Sequence, residues 1–155
     1  MAVTSILHTG LTVSDLDRSI AFYRDLLGLE LLAQWDSSQP YLRAVVGYPD
    51  AELRIALLRV PPGPDGIASH HIELLEYRRP RGARGDANTY IPGNGHVAFM
   101  VDDLAATHAE LEAKGVRFKS APVDITHGRN TGAKGVYFWD PDDITLEMIQ
   151  PAPRA

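Results

Sequence analysis

The sequence predicts an α+β fold built from two copies of one strand–helix–strands unit, and three observations predict it. Ile6-Leu7-His8-Thr9-Gly10-Leu11-Thr12-Val13-Ser14-Asp15-Leu16 reads as a strand that turns directly into a capped helix. It recurs as Gly95-His96-Val97-Ala98-Phe99-Met100-Val101-Asp102-Asp103-Leu104. His8 maps on His96, Val13 on Val101, Asp15 on Asp103 and Leu16 on Leu104, all at an offset of 88 residues. A register held through a strand and a helix start marks an internal repeat. Second, each copy continues from its helix into β-like runs. Third, the last run of each copy carries one glutamate between apolar residues, Ile72-Glu73-Leu74 and Leu146-Glu147-Met148, at an offset of 74. Half-units of this kind cannot cover their own sheets, which favours pairing with each other or with a second chain.

The expected boundaries are a first module at 1–77 with an extra strand or hairpin, a connector at 78–95, a second module at 96–150 and a tail at 151–155. The opening strand covers 5–13, and alternation puts His8, Gly10 and Thr12 on one face with Leu7, Leu11 and Val13 on the other. Ser14 or Asp15 can cap the following helix by accepting from its free N–H groups. Leu16, Ile20, Tyr23 and Leu27 form its apolar stripe, and Gly28 supplies a left-handed end. Leu29–Trp35, Tyr41–Tyr48, Glu52–Val60 and His70–Tyr77 read as β-like runs separated by turn residues. The Pro- and Gly-rich segment at 61–66 is expected to be a surface hairpin or flap. Four arginines at 78–84 are expected to be solvated rather than bound to an anion. In the second copy, a strand at 96–101 leads into a helix at 102–114 that stops at Gly115. Strands follow at Val116–Ser120, Val136–Trp139 and Ile144–Ile149, with a polar loop at Asp124–Lys134 and a turn at Asp140–Asp143.

Composition narrows the function classes. The formal net charge of −5 argues against nucleic acid as a partner, because phosphate neutralisation calls for a basic surface. The absence of cysteine excludes disulfides, thiolate zinc sites and thiol nucleophiles. No run approaches the ~20 apolar residues of a membrane span, and Met1–Thr12 lacks the pattern of a signal peptide. A soluble, cytoplasmic protein is the expectation. Gly128–Gly135 looks superficially like a phosphate loop, but Ala133 and Gly135 stand where that motif needs Gly and Ser or Thr.

Glutamates flanked by apolar residues within a strand are costly unless paired or bound to a cation. Alternation places Glu73 with His71, Leu75 and Tyr77, and Glu147 with Thr145 and Ile149. Two histidines and two glutamates at repeat-equivalent positions can converge on a pseudo-twofold axis. Imidazole nitrogen with carboxylate oxygen suits a borderline divalent ion: Zn, Ni, Co, Mn or Fe. The alternative is that the histidines are hydrogen-bonded polar residues on a wet sheet face and the glutamates simply face solvent.

The segment His8–Tyr23 with Leu26-Leu27-Gly28-Leu29-Glu30-Leu31 resembles the opening signature of the vicinal oxygen chelate superfamily. That superfamily includes glyoxalase I, methylmalonyl-CoA epimerase, extradiol dioxygenases and the bleomycin and fosfomycin resistance proteins. Gly95–Phe99, Val101–Leu104, Phe138–Asp142 and Leu146-Glu147 fit the resemblance too, which spans 5–150. It implies paired βαβββ modules forming a cupped mixed sheet around one divalent metal, commonly in a homodimer. The family's metal ligands fall on His8, Glu73, His96 and Glu147. Glu76 lies close to Glu73, but the repeat pairs Glu76 with Gln150. The ligand set is nearest to glyoxalase I and the epimerases. It implies a lyase or isomerase that moves a proton next to a carbonyl through a metal-bound enediolate, with Glu147 as base and Glu73 as its partner. Thr12 and Tyr77 depart from the arginine and asparagine of glutathione-recognising relatives, which argues against lactoylglutathione chemistry.

Two other readings follow from the same resemblance. His8, His96 and Glu147 could hold Fe(II) for extradiol ring cleavage, although such enzymes usually carry two module pairs. A small-molecule, antibiotic-like binding protein without turnover would normally lack the full ligand set. Tyr41, Arg43 and Arg54, on expected strands, are candidate substrate contacts, as are Asn130 and Lys134 on the polar loop. His108 falls on the inward stripe of its helix and is expected to be packed, His70 and His127 to have no role, and His71 to support Glu73.

Overall fold

β1 (His8–Thr12) runs almost directly into α1 (Leu16–Ala21). Asp15 makes this possible: its backbone is extended and its carboxylate accepts from the Arg18 N–H at 3.0 Å. The apolar stripe then continues through a π-helical turn, Phe22–Leu26, which buries Phe22 as well as Tyr23. Gly28 follows with φ +76°, the left-handed conformation that ends a helix without a Cβ penalty. This computed structural model describes residues 3, 5–61 and 70–153. They divide into two units, Met1–Arg84 and Gly85–Ala155. The expected hairpin at 61–66 lies, apart from Pro61, outside the described residues.

The first unit continues with β2 (Glu30–Ser37), α2 (Pro40–Val46), β3 (Glu52–Arg59) and β4 (His71–Arg79). Its sheet has the order β1-β4-β3-β2, with β1 parallel to β4 and the other pairs antiparallel. Leu16, Ile20 and Tyr23 are buried on one face with Ala56, Leu58, Ile72 and Leu74. Each leucine and isoleucine among them contributes ~1.5–3 kcal/mol by leaving water. The expected strand at Tyr41–Tyr48 is instead the helix α2. Its Val-rich composition suits a strand, but the ends decide: Pro40 stands at the first helical position and Gly47 ends it at φ +77°. Leu42 and Val46, one turn apart, pack against Leu53, Ile55, Leu75 and Tyr77.

The second unit consists of β5 (Val97–Met100), α3 (Leu104–Ala113), β6 (Arg117–Phe118), β7 (Val123–Asp124), β8 (Lys134–Trp139) and β9 (Thr145–Gln150). Its sheet order, β5-β9-β8-β6, repeats that of the first, with β7 added against β8. Asp103 caps α3 by accepting from the Ala106 N–H at 2.9 Å, and Gly115 follows it at φ +86°. The turn between β8 and β9 is built by Asp140, whose Oδ1 accepts from the N–H groups of Asp142 and Ile144, each at 2.8 Å. His108 packs on Phe118 with ring centroids 4.2 Å apart.

The repeat holds bond by bond. Gly10 lies opposite Glu73 in the first unit and Ala98 opposite Glu147 in the second. Val13 N–H donates to Leu75 O at 2.9 Å, and Val101 N–H to Ile149 O at 2.9 Å. The first N–H of α1, from Leu16, donates to Glu76 Oε2 at 3.2 Å; that of α3, from Leu104, donates to Gln150 Oε1 at 3.0 Å. Each last strand therefore carries a side chain that caps its unit's helix, and this sets Glu73 and Glu147 three residues earlier on the opposite face.

Glu76 is buried and also receives Arg54 Nη1 at 3.2 Å. Glu76→Gln keeps the acceptor that Gln150 supplies in the second unit and should cost about 1 kcal/mol. Glu76→Leu strands the helix N–H and removes one of the carboxylates on Arg54, which keeps Asp17, and should cost about 2–3 kcal/mol. Urea unfolding of the two variants checks this order, and equal losses would contradict it.

Candidate functional site

Each unit brings one histidine and one glutamate together on the sheet face away from its long helix. In the first, His8 Nε2 lies 3.4 Å from Glu73 Oε2. In the second, His96 Nε2 lies 3.1 Å from Glu147 Oε2. The environments match as well: the side chains are 38% and 20% exposed in one pair and 37% and 19% in the other. Small residues leave room beside the carboxylates. A Cβ on Gly10 would come within 4.0 Å of Glu73 Oε2 and 3.4 Å of Leu75, and one on Gly135 within 3.7 Å of Glu147 Oε1. An imidazole nitrogen next to a carboxylate oxygen, half-open to solvent, is a donor set that fits a borderline divalent ion. Among the described residues, no three His, Asp or Glu side chains gather into a metal cluster of their own.

The remaining sequence-derived candidates divide by face. Glu76 points to α1 and caps it, leaving Glu73 as the carboxylate beside His8. Arg54, expected to reach substrate, registers with Glu76 and so shares its face, away from Glu73. There it forks onto Asp17 at 2.9 Å and Glu76 at 3.2 Å. The Asp17 hydrogen bond raises the Arg54 pKa despite burial, so this guanidinium stays charged. Tyr41 and Arg43 lie on α2 rather than on a strand: Tyr41 is exposed, and Arg43 Nε donates to Ala51 O at 3.2 Å. Lys134 registers with Gln150, on the face away from Glu147, and pairs with Asp124. Asn130 sits in the turn before β8, where its carbonyl accepts from the Ala133 N–H at 3.0 Å. His71 registers with His8, and its Nδ1 lies 3.4 Å from Leu7 O. His70 Nε2 lies 3.0 Å from Thr9 Oγ1, a contact the sequence did not suggest.

Sequence reasoning missed Tyr137. It registers opposite Glu147, its hydroxyl lies 3.5 Å from His96 Nε2, and the two rings are 5.1 Å apart. Alternation along β8 could have found it once Tyr137 was paired with Glu147. Burial, followed by the charge of Glu147, raises the Tyr137 pKa above the ordinary phenol value. In the first unit burial also raises the Tyr77 pKa, helped by Tyr48 and Glu73. Both phenols therefore stay protonated and able to donate at neutral pH.

A doubled unit of this topology, with His and Glu repeated at matching positions, defines a class of paired-module proteins. The profile described as Glyoxalase/Bleomycin resistance protein/Dioxygenase superfamily matches residues 5–148, and the chain belongs to that superfamily. It is 34% identical over 146 residues to a 2-epi-5-epi-valiolone epimerase of Actinomyces sp., covering 92% of this chain and 76% of the relative. It is 32% identical over 148 residues to a lactoylglutathione lyase of Haemophilus influenzae, covering 94% and 91%. The fold matches that of a glyoxalase family protein from Bacillus cereus with a TM-score of 0.81 at 20% identity, covering 99% and 97% of the two chains.

The raised pKa values of Tyr77 and Tyr137 make an alkaline prediction. A group whose folded pKa lies above its unfolded one stabilises below the unfolded pKa, near 10, and loses that contribution as pH rises through the folded value. Absorbance titration at high pH should show Tyr77 and Tyr137 ionising late. The late phase should lose two groups in a Tyr77→Phe, Tyr137→Phe double variant. A late phase unchanged in that variant would contradict it.

Proposed function

We propose that the chain is a metal-dependent lyase or isomerase that moves a proton on the carbon next to a substrate carbonyl. The observation that carries this reading is the matched pair of half-open His–Glu contacts, His8 with Glu73 and His96 with Glu147. Two such pairs supply four ligands for one divalent ion, whether they come from one chain or from two. When bound, that ion supplies a Lewis acid that stabilises negative charge developing on substrate oxygen. Relatives named as an epimerase and as lactoylglutathione lyases support a lyase or isomerase. Thr12 and Tyr77 speak against glutathione as part of the substrate, since Tyr77 is packed against Tyr48 and α2.

The chain's own groups perform the proton work. Glu147 is the base: its carboxylate is only one-fifth exposed, and Gly135 and Ala98 leave space for a substrate carbon beside it. Glu73 is the corresponding group in the other unit and the second candidate for proton transfer. Tyr137 lies beside both His96 and Glu147 and can donate a hydrogen bond to either carboxylate or substrate oxygen. The homodimer expected from the family is part of this proposal, supported by exposed apolar side chains such as Trp35, Val45 and Met100.

Elemental analysis of protein purified without added metal tests the reading. Wild type should carry Ni, Co, Zn or Mn, and His96→Ala should lose it. Glu147→Gln should keep metal but incorporate solvent deuterium into α-hydroxy ketones and hemithioacetals at least 100-fold more slowly. Iron with oxygen consumption on catechols would favour ring cleavage instead. No metal uptake on titration would leave a binding protein.

A further inference from the structure

The repeat allows the two Glu-bearing faces to be compared row by row, and they differ. In the first unit the cross-strand row through Glu73 reads Ala33, Leu57, Glu73, Gly10: nothing in it but the glutamate is polar. In addition, α2 packs on that face through Leu42 and Val46. In the second unit the row reads Lys119, Tyr137, Glu147, Ala98. Lys119 joins it through its N–H, which donates to Tyr137 O at 2.8 Å and extends the Arg117–Trp139 and Phe118–Phe138 register by one residue. No helix lies between β6 and β8, and Met100 and Lys119 on this face are exposed.

Lys119 is held in place without being neutralised. Its Nζ lies 5.4 Å from the Tyr137 ring centroid and 5.3 Å from that of Trp139, within cation–π range of both. Neighbouring cations are already used: Arg117 pairs with Asp143 and Lys134 with Asp124. Among the described residues Lys119 enters no ion pair. An aromatic floor thus fixes one ammonium two strands from Glu147, a backbone separation of roughly 10 Å at the usual strand spacing. A depression lined in part by Asp86, Asn88 and Arg117 opens at the Trp139 end of this stripe, so the face continues past Lys119.

We infer that the second unit is the substrate-recognising half, and that Lys119 anchors a carboxylate at the end of the substrate remote from its reacting carbonyl. This rests on the proposed metal-dependent function. A single unneutralised ammonium matches a monoanion better than a phosphate dianion, which asks for more than one cation or several donors. Tyr137 and Trp139 supply the apolar floor beneath the connecting carbons. The first unit, with an apolar row partly covered by α2, has no counterpart among its described residues. Lys119 is a specificity-determining residue, distinct from the groups that move the proton.

Calorimetric titration of the zinc-loaded protein with two chelators tests this. Acetohydroxamate offers two neighbouring oxygens alone; succinic monohydroxamate adds a carboxylate tail. The tail should tighten binding about tenfold in wild type, the return of one charge-assisted hydrogen bond. Lys119→Met should lose that gain while binding acetohydroxamate as wild type does, which also shows that the variant is folded. Lys119→Arg should keep most of it. A tail that tightens binding equally in Lys119→Met, or not at all in wild type, overturns the role of Lys119. Failure of wild type to bind acetohydroxamate overturns the metal reading beneath it, and the inference with it.

Discussion

The parallel pairing of first and last strand in each unit is the constraint on which everything else depends. It places Gly10 opposite Glu73 and Ala98 opposite Glu147. It also carries the chain out of the sheet at Val13 and Val101, whose N–H groups still donate to the last strand. Because strand side chains alternate, the residue that caps the helix and the residue that faces the open side lie an odd number of positions apart. Glu76 and Glu73 satisfy that rule in one unit, Gln150 and Glu147 in the other. A one-residue slip would bury Glu73 under α1 and expose Glu76, at the cost of a stranded helix N–H and the Arg54–Glu76 contact.

This division of labour explains why charged residues can sit in the middle of apolar strands. Glu76 is paid for by a helix terminus and a guanidinium. Among the described residues Glu73 and Glu147 have no such partner. Each meets a histidine and remains partly open to solvent, the arrangement of a group kept for an external cation or a substrate proton. The duplication supplies two such contacts. Divergence between the copies, with α2 on one face and an aromatic, cationic stripe on the other, makes the halves chemically unequal.

Much of this was legible in the sequence because the repeat carries its own alignment. The offsets of 88 for His8 and His96 and of 74 for Glu73 and Glu147 reappear as hydrogen-bonded registers. Asp15 and Asp103 were readable as caps for the same reason. What escaped was set by partners rather than by local pattern. Tyr41–Val46 has the composition of a strand, and its helical state is decided by Pro40, Gly47 and the apolar surface beneath Leu42. Arg54 looks like a ligand contact until its face is fixed by Asp17 and Glu76. Tyr137 and Lys119 gain significance only through their register with Glu147, which periodicity within one strand does not supply.

The central claim is that two His–Glu pairs share one ion. Equilibrium dialysis against Co(II) measures this directly, as ions bound per chain in wild type, His8→Ala and His96→Ala. The account predicts one ion per chain in wild type and loss of nearly all of it in either variant, since each removes a ligand from the same site. Two ions per chain with one surviving in each variant, or binding indifferent to both substitutions, would contradict it.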